Sequence, residues 1–267
     1  MLHTRFGPIR SFPYSWRLPE LARDEGRHAG LRARLALGST LYAMGRFGET
    51  LANLPEPETA PEANEAGLIA DILDLRARCL WLQDDASAAL PLAEAARSME
   101  PRVPRRLQAR VSFLYLADDP EAALAVGADY RAAADAVDSK SDQAWAALFL
   151  HWAHARLGRN DADDPALAHA ALALLRSIVP ADAAQGEALY AEAVFHQSPA
   201  WSLAWLDEAL VLGERFGQHH LKARLLALKV RALDANGLLG ESSRFLKLAR
   251  ETASRQGAWR YLRDMAG

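Results

Sequence analysis

Apolar residues along this chain recur at helical spacing, in paired segments separated by short polar turns. The clearest pair runs Leu37-Gly38-Ser39-Thr40-Leu41-Tyr42-Ala43, then Met44-Gly45-Arg46, then Phe47-Gly48-Glu49-Thr50-Leu51. Leu, Gly and Leu/Tyr positions share one face of the first segment, Gly45-Arg46 makes the turn, and the second segment opens on an aromatic residue. This spacing predicts a helical hairpin, and similar hairpins can be traced to the C-terminal end. Val, Ile and Thr never gather into the alternating runs a sheet needs. Alanine runs such as Ala132-Ala133-Ala134 favour helix over strand.

The hairpins fall on a common ruler. Taking the first residue of each as slot 1 places the starts at Leu31, Ala70, Pro104, Ala144, Ala183 and Ala223, with spacings of 39, 34, 40, 39 and 40 residues. Periods in this range signal a helical repeat array. Slot 11 is mostly apolar: Leu41, Leu80, Leu114, His154, Ala193, Leu233. Slot 15 collects residues that end helices or turn the chain: Gly45, Asp84, Asp118, Gly158, Gln197, Gly237. Slot 20 is small throughout: Thr50, Ala89, Ala123, Ser202 and Ser242, with Ala168 in the fourth repeat once an insertion at 160–164 is allowed. Two antiparallel helices joined by a short turn approach closely only where the crossing carries little side chain.

Two stretches, Gly45-Arg46-Phe47-x-Glu49-Thr50-Leu51 and Asp84-Asp85-Ala86-Ser87-Ala88-Ala89-Leu90 followed by Ala93, Ala96 and Pro101, resemble tetratricopeptide repeats. The resemblance implies an all-α fold, a right-handed α-α superhelix of about six helical hairpins. Its second repeat (Ala77, Leu80, Ala89, Ala96, Pro101) fits the family pattern well. Later repeats depart from it: slot 8 carries Val111, His151, Tyr190 and Val230, and the period runs longer than the usual 34. The C-terminal quarter, from Leu212-Gly213-Glu214-Arg215-Phe216-Gly217 through Gly237 to Ala253–Trp259, is also similar to the long-period repeats in sensor regions of ATP-dependent bacterial transcription activators. Their phosphate loop and DNA-binding helices have no counterpart here. The expected organisation is an irregular N-terminal segment with a capping helix (1–30), a repeat array (31–256) and a C-terminal cap (257–267). In the first, Phe6, Phe12, Tyr14 and Trp16 would pack over the first hairpin, Pro8 and Pro13 opposing helix.

Composition narrows the chemistry. A hydrophobic fraction of 51 % supplies a core and argues against disorder. The single cysteine, Cys79, excludes an intrachain disulfide and a Cys-based zinc site; placed mid-helix, it reads as a small core residue. No apolar leader is visible at Met1-Leu2-His3-Thr4-Arg5, and the most apolar run, Ala166–Leu175, is far shorter than the roughly 20 residues that span a bilayer. The expectation is a cytoplasmic protein. No Gly-rich phosphate loop, G-x-S-x-G elbow or H-E-x-x-H motif occurs, so no enzyme and no cofactor are expected. His151 and His154 share a helix face but occupy packing slots and lack a third ligand, so they read as core histidines. Asp161, Asp163 and Asp164 read as turn and cap residues. Residues 215–264 carry a net charge of +7 against −10 for the rest, within an overall −3. That basic end leaves nucleic-acid binding as an alternative, although the overall charge opposes it.

In tetratricopeptide arrays the first helix of each hairpin lines the concave surface, with slots 2, 5, 9, 12 and 13 facing in. The resemblance thus implies a groove bearing Tyr42, Trp81, Tyr115, Trp145, Trp152 and Phe195, interspersed with Arg78, Arg105, Arg156, Arg224 and Arg231, and with Asp71, Asp74 and Glu187 as acidic exceptions. Aromatic and Arg side chains are both enriched at binding hot spots, and Arg clamps carboxylates bidentately. The first expectation is a protein-protein adaptor holding a peptide or protein segment, with acidic or C-terminal carboxylates as the gripped groups. A small-molecule or peptide-responsive sensor of a transcription regulator is the alternative. Packing between repeats remains the rival account of the same aromatics. Dimerisation through Leu238-Leu239 and the Trp259-Tyr261-Leu262 region stays open.

Overall fold

The computed structural model describes residues 27–56, 66–99, 103–159 and 164–265. The expected aromatic N-terminal segment, and Asp161 and Asp163, lie outside these. Among the described residues every regular element is helical: α1 (Arg27–Ala43), α2 (Phe47–Asn53), α3 (Ala66–Leu82), α4 (Ala86–Met99), α5 (Pro104–Ala117), α6 (Pro120–Ala136) and α7 (Lys140–Arg156) come first. They are followed by α8 (Asp164–Ile178), α9 (Pro180–Gln197), α10 (Pro199–Arg215), a 3-10 turn (His219–Leu221), α11 (Lys222–Ala235), α12 (Leu239–Gln256) and α13 (Trp259–Asp264). Consecutive helices pack as hairpins, and the first helices of neighbouring hairpins also touch, α1 to α3, α3 to α5, and so on to α11.

The ends of the helices follow from local chemistry. Pro104, Pro120, Pro180 and Pro199 each sit in the first turn, where no amide donor is needed. Asp119 caps α6 by accepting the Ala122 amide, and Ser139 caps α7 by accepting that of Asp142. Turn slot 15 is left-handed at Gly45, Asp84, Asp118, Gly158 and Gly237, with φ of 73, 69, 56, 65 and 72°. Asp tolerates that region better than most residues with a Cβ. Gln197 differs. Helix α9 runs through it, and the reversal is made by extended Ser198 (φ −155°) before Pro199 opens α10.

The six slot-20 residues are all buried, at most 4 % exposed. Thr50 Oγ1 donates to the Gly38 carbonyl across the first crossing at 3.5 Å, and a Cβ on Gly38 would stand 2.9 Å from Leu54 Cδ2. Both positions are small where the two helices meet. Arg76, itself buried, donates to the carbonyls of Leu51, Leu54 and Pro55, satisfying the end of α2 from α3.

A central core joins α5–α9, and a second joins α9–α11. A third cluster draws from both ends of the chain: Phe47, Cys79 and Leu82 pack with Ala223, Ala253, Ala258 and Tyr261. Helix α13 thus returns to α3, and the 3-10 turn meets α1. No described helix is long and apolar enough to cross a membrane.

Phe47 is fully enclosed in the cluster that joins the two ends. Phe47→Ala should lower stability by about 3–5 kcal/mol, the range for a large-to-small core change, as read by urea unfolding. A loss below about 1 kcal/mol would mean the ends are not energetically joined there.

Candidate functional site

The first helices of five consecutive hairpins wall a cavity of about 290 Å³. Helix α1 contributes Leu35 and Ser39, and α3 contributes Asp71, Asp74, Leu75 and Arg78. Helix α5 adds Arg105, Gln108, Ala109 and Ser112; α7 adds Trp145; α9 adds Asp182 and Gln185. Most of these residues repeat at slots 2, 5 and 9, four or three apart, which is why they share one face of each helix.

The cavity is built on ion pairs at one side and on uncommitted polar groups at the other. Arg106, buried behind the lining, pairs with Asp71 and reaches Asp74 Oδ2 at 3.4 Å. Exposed Arg105 also holds Asp71, at 2.6 Å, from the rim. Arg78 donates to the Ala109 carbonyl at 3.2 Å, tying α3 to α5 while its side chain faces the cavity. Burial pushes the Asp74 carboxyl up to about 6, against the opposing pull of Arg78 and Arg105. Burial also raises the Asp182 carboxyl, which makes no ion pair among the described residues. Such an arrangement can accept donors or a cation at Asp182 and an acceptor or anion at Arg78.

Of the eleven aromatic and arginine residues expected in a groove, the cavity gathers three, Arg78, Arg105 and Trp145, together with two of the acidic exceptions, Asp71 and Asp74. Even Trp145 is 3 % exposed and stacks on Phe149, its ring centroid 5.8 Å away. Tyr42 lies half-buried between Phe47 and His220. Trp81, also buried, donates its indole N–H to the Leu116 carbonyl at 3.0 Å, under Arg260 at 3.9 Å. Tyr115 donates to Glu192 at 2.8 Å beneath Arg224, and Trp152 is wholly enclosed against it. At the far end Arg156 clamps Asp118 through Nε and Nη2, at 2.9 and 2.7 Å, and Arg231 covers the Phe195 ring at 4.9 Å.

Trp81, Tyr115, Trp145 and Trp152 are thus buried and packed against neighbouring side chains, with Trp145 also bordering the cavity. A large flat side chain on the inner helix face fills the gap to the next helix before a partner can use it. Asp182, Gln185, Gln108, Ser39 and Ser112 were not anticipated. The signal was available at slots 5 and 9, which carry Ser39, Gln108 and Ser112. Asp182 and Gln185 fall off those slots.

His151 is buried and stacks on Tyr190 at 5.4 Å, and His169 meets Tyr190 and Trp205 edge-on. Among the described residues no three His, Cys, Asp or Glu side chains gather to hold a metal ion. Cys79 is buried, and desolvation pushes its thiol up to about 12. Glu187, the third acidic exception, is not part of the cavity lining. It is fully buried with Arg176 Nη2 at 2.6 Å.

No protein-family model matches the chain, and no curated protein matches it either.

Burial raises the Glu187 carboxyl from 4.5 to about 7, outweighing Arg176. The folded protein therefore holds this proton more tightly than the unfolded chain. The stabilisation is complete below about pH 4.5 and is lost as pH rises through about 7. Glu187→Gln should flatten unfolding free energy over that window relative to wild type in parallel denaturant titrations. Identical slopes would place the titration elsewhere.

Proposed function

We propose that this protein is a non-catalytic recognition module. In this reading it is a tetratricopeptide-like right-handed superhelix of about six hairpins whose inner face holds a peptide or protein segment. The observation that carries the reading is the lining of the cavity. Ser39, Gln108, Ser112, Asp182 and Gln185 converge from three helices, and among the described residues no hydrogen bond engages their side chains. Polar side chains that converge on one space and are not engaged by the protein suit a ligand that hydrogen-bonds them. Arg78 and Asp182 together suit a ligand with charges of both signs, such as a chain terminus or a side chain beside a backbone amide.

A second reading, a sensor of a small molecule, draws on the cavity's size. About 290 Å³ lies at the small end of ligand sites, nearer to one residue than to an extended peptide. The two readings share a site and differ in what fills it.

Asp182→Asn with Gln185→Ala keeps the side-chain volume at one position and shortens the other, so folding should persist with an unchanged melting temperature. Loss of a charged hydrogen bond costs about 1.5–3 kcal/mol, hence retention should fall about ten-fold or more. The measurement is affinity capture from native lysate with wild type beside the double variant. A protein held only by wild type supports the adaptor; equal capture, followed by a metabolite that raises only the wild-type melting temperature, supports the sensor. If neither difference appears, the cavity is not a recognition site.

A further inference from the structure

The charges around the cavity divide into a balanced set and a pair left over. On the side of α3 and α5, Arg106 pairs with Asp71 and reaches Asp74 Oδ2 at 3.4 Å, and Arg105 holds Asp71 at 2.6 Å. Two carboxylates and two guanidiniums cancel there, since a carboxyl titrating at about 6 is ionised at neutral pH. Arg78 and Asp182 remain. Neither makes an ion pair among the described residues. They line the same space of about 290 Å³ from α3 and α9, which α5 and α7 separate in the packing order.

Both of these groups keep bonding capacity. A guanidinium carries five N–H donors. Arg78 gives one to the Ala109 carbonyl at 3.2 Å, and its buried Nε has no hydrogen-bond partner. Asp182 stands in the first turn of α9, where the free amides favour negative charge, and no hydrogen bond engages its carboxylate among the described residues. Ser112, only 6 % exposed, lines the cavity with its hydroxyl equally unengaged. Leu35 and Leu75 supply an apolar part of the wall. A cation and an anion on different walls of one small space, neither neutralised by the protein, favour a ligand with the complementary pair of charges. A ligand of net charge would leave one of its own charges unpaired beside groups already matched, which is costly in a desolvated site.

We infer that the cavity takes a small zwitterion, an α-amino acid with an uncharged side chain, with its ammonium on Asp182 and its carboxylate on Arg78. The inference rests on the cavity being a recognition site, as proposed above, and names what fills it. A space at the small end of ligand sites suits one residue carrying both charges. The side chain of Lys, Arg, Asp or Glu would bring a third charge with no free partner. A dipeptide with both ends free offers the same chemistry at greater length and is the other source of it.

The test titrates the full wild-type chain, by thermal shift and calorimetry, with the common free L-amino acids, glycyl-glycine and alanyl-alanine. A neutral amino acid should bind saturably, and Lys, Arg, Asp and Glu about ten-fold or more weakly. The best binder is then blocked at one end at a time. Its methyl ester lacks the carboxylate and its N-acetyl derivative lacks the ammonium, and each should lose about ten-fold in affinity, the scale of one charged hydrogen bond. Asp182→Asn, with circular dichroism unchanged, should weaken the parent amino acid by a similar factor and leave the weak N-acetyl derivative as it was. Arg78 also ties α3 to α5, so the methyl ester on wild type reads that contact without a variant that could disturb folding. Dipeptides that bind more tightly than every amino acid would support the zwitterion and assign it to a short peptide. No saturable binding by any of these probes, or a blocked derivative that binds as well as its parent, overturns the inference. Capture from lysate that still depends on Asp182 and Gln185 would then leave the recognition role standing without this ligand, and capture that does not would remove both.

Discussion

The close crossing of each helical hairpin is the constraint on which the rest depends. Helices this near to one another leave no room for a branched or long side chain between them. Thr50, Ala89, Ala123, Ala168, Ser202 and Ser242 occupy those points, and all are buried. With the crossings fixed, the first helix of each hairpin has one face turned to its own partner helix and another to the next hairpin. Its third face is left for whatever the interior holds. That third face carries nearly all the polar chemistry described above.

What fills the interior divides into two regions with different physics. Toward the start of each first helix, the polar side chains surround an open cavity and keep unused hydrogen-bonding capacity. Toward the end of those helices the space is closed by protein. Tyr115, Glu192 and Arg224 form a buried network, Arg224 also lying 3.9 Å over the Tyr115 ring. Burial of an ion pair in this way contributes little net stability but is costly to break, because the remaining charge would stand unpaired. Tyr261 of α13 is buried beside this network, where the charges of Arg224 and Glu192 act on its phenol.

Hairpin periodicity was legible because it rests on local rules. Positive φ at Gly45, Asp84, Asp118, Gly158 and Gly237 answers to residue types that tolerate it. Gln197 shows the limit: a ruler places the turn, but Ser198 and Pro199 decide where the helix stops. Reading the inner face was less secure, because a stripe of Trp and Tyr at helical spacing has the same sequence signature whether it meets solvent or a neighbouring helix. Trp152 and Tyr115 meet each other at 4.9 Å instead of a ligand. The short polar residues at Ser39, Gln108 and Gln185 lacked any feature that marks them singly. Their meaning comes only from converging.

The sequence by itself determined the helices, their pairing into hairpins and the small residues at the crossings. Each of these depends on neighbours within about one hairpin, where spacing and residue size act directly. The tertiary structure alone decided that α13 returns to α3, that Tyr115 pairs with Glu192 seventy-seven residues away, and that five helices leave an open polar cavity between them. Those outcomes depend on the angle at which successive hairpins stack. Each joins residues far apart in the chain, and no single repeat encodes such a contact.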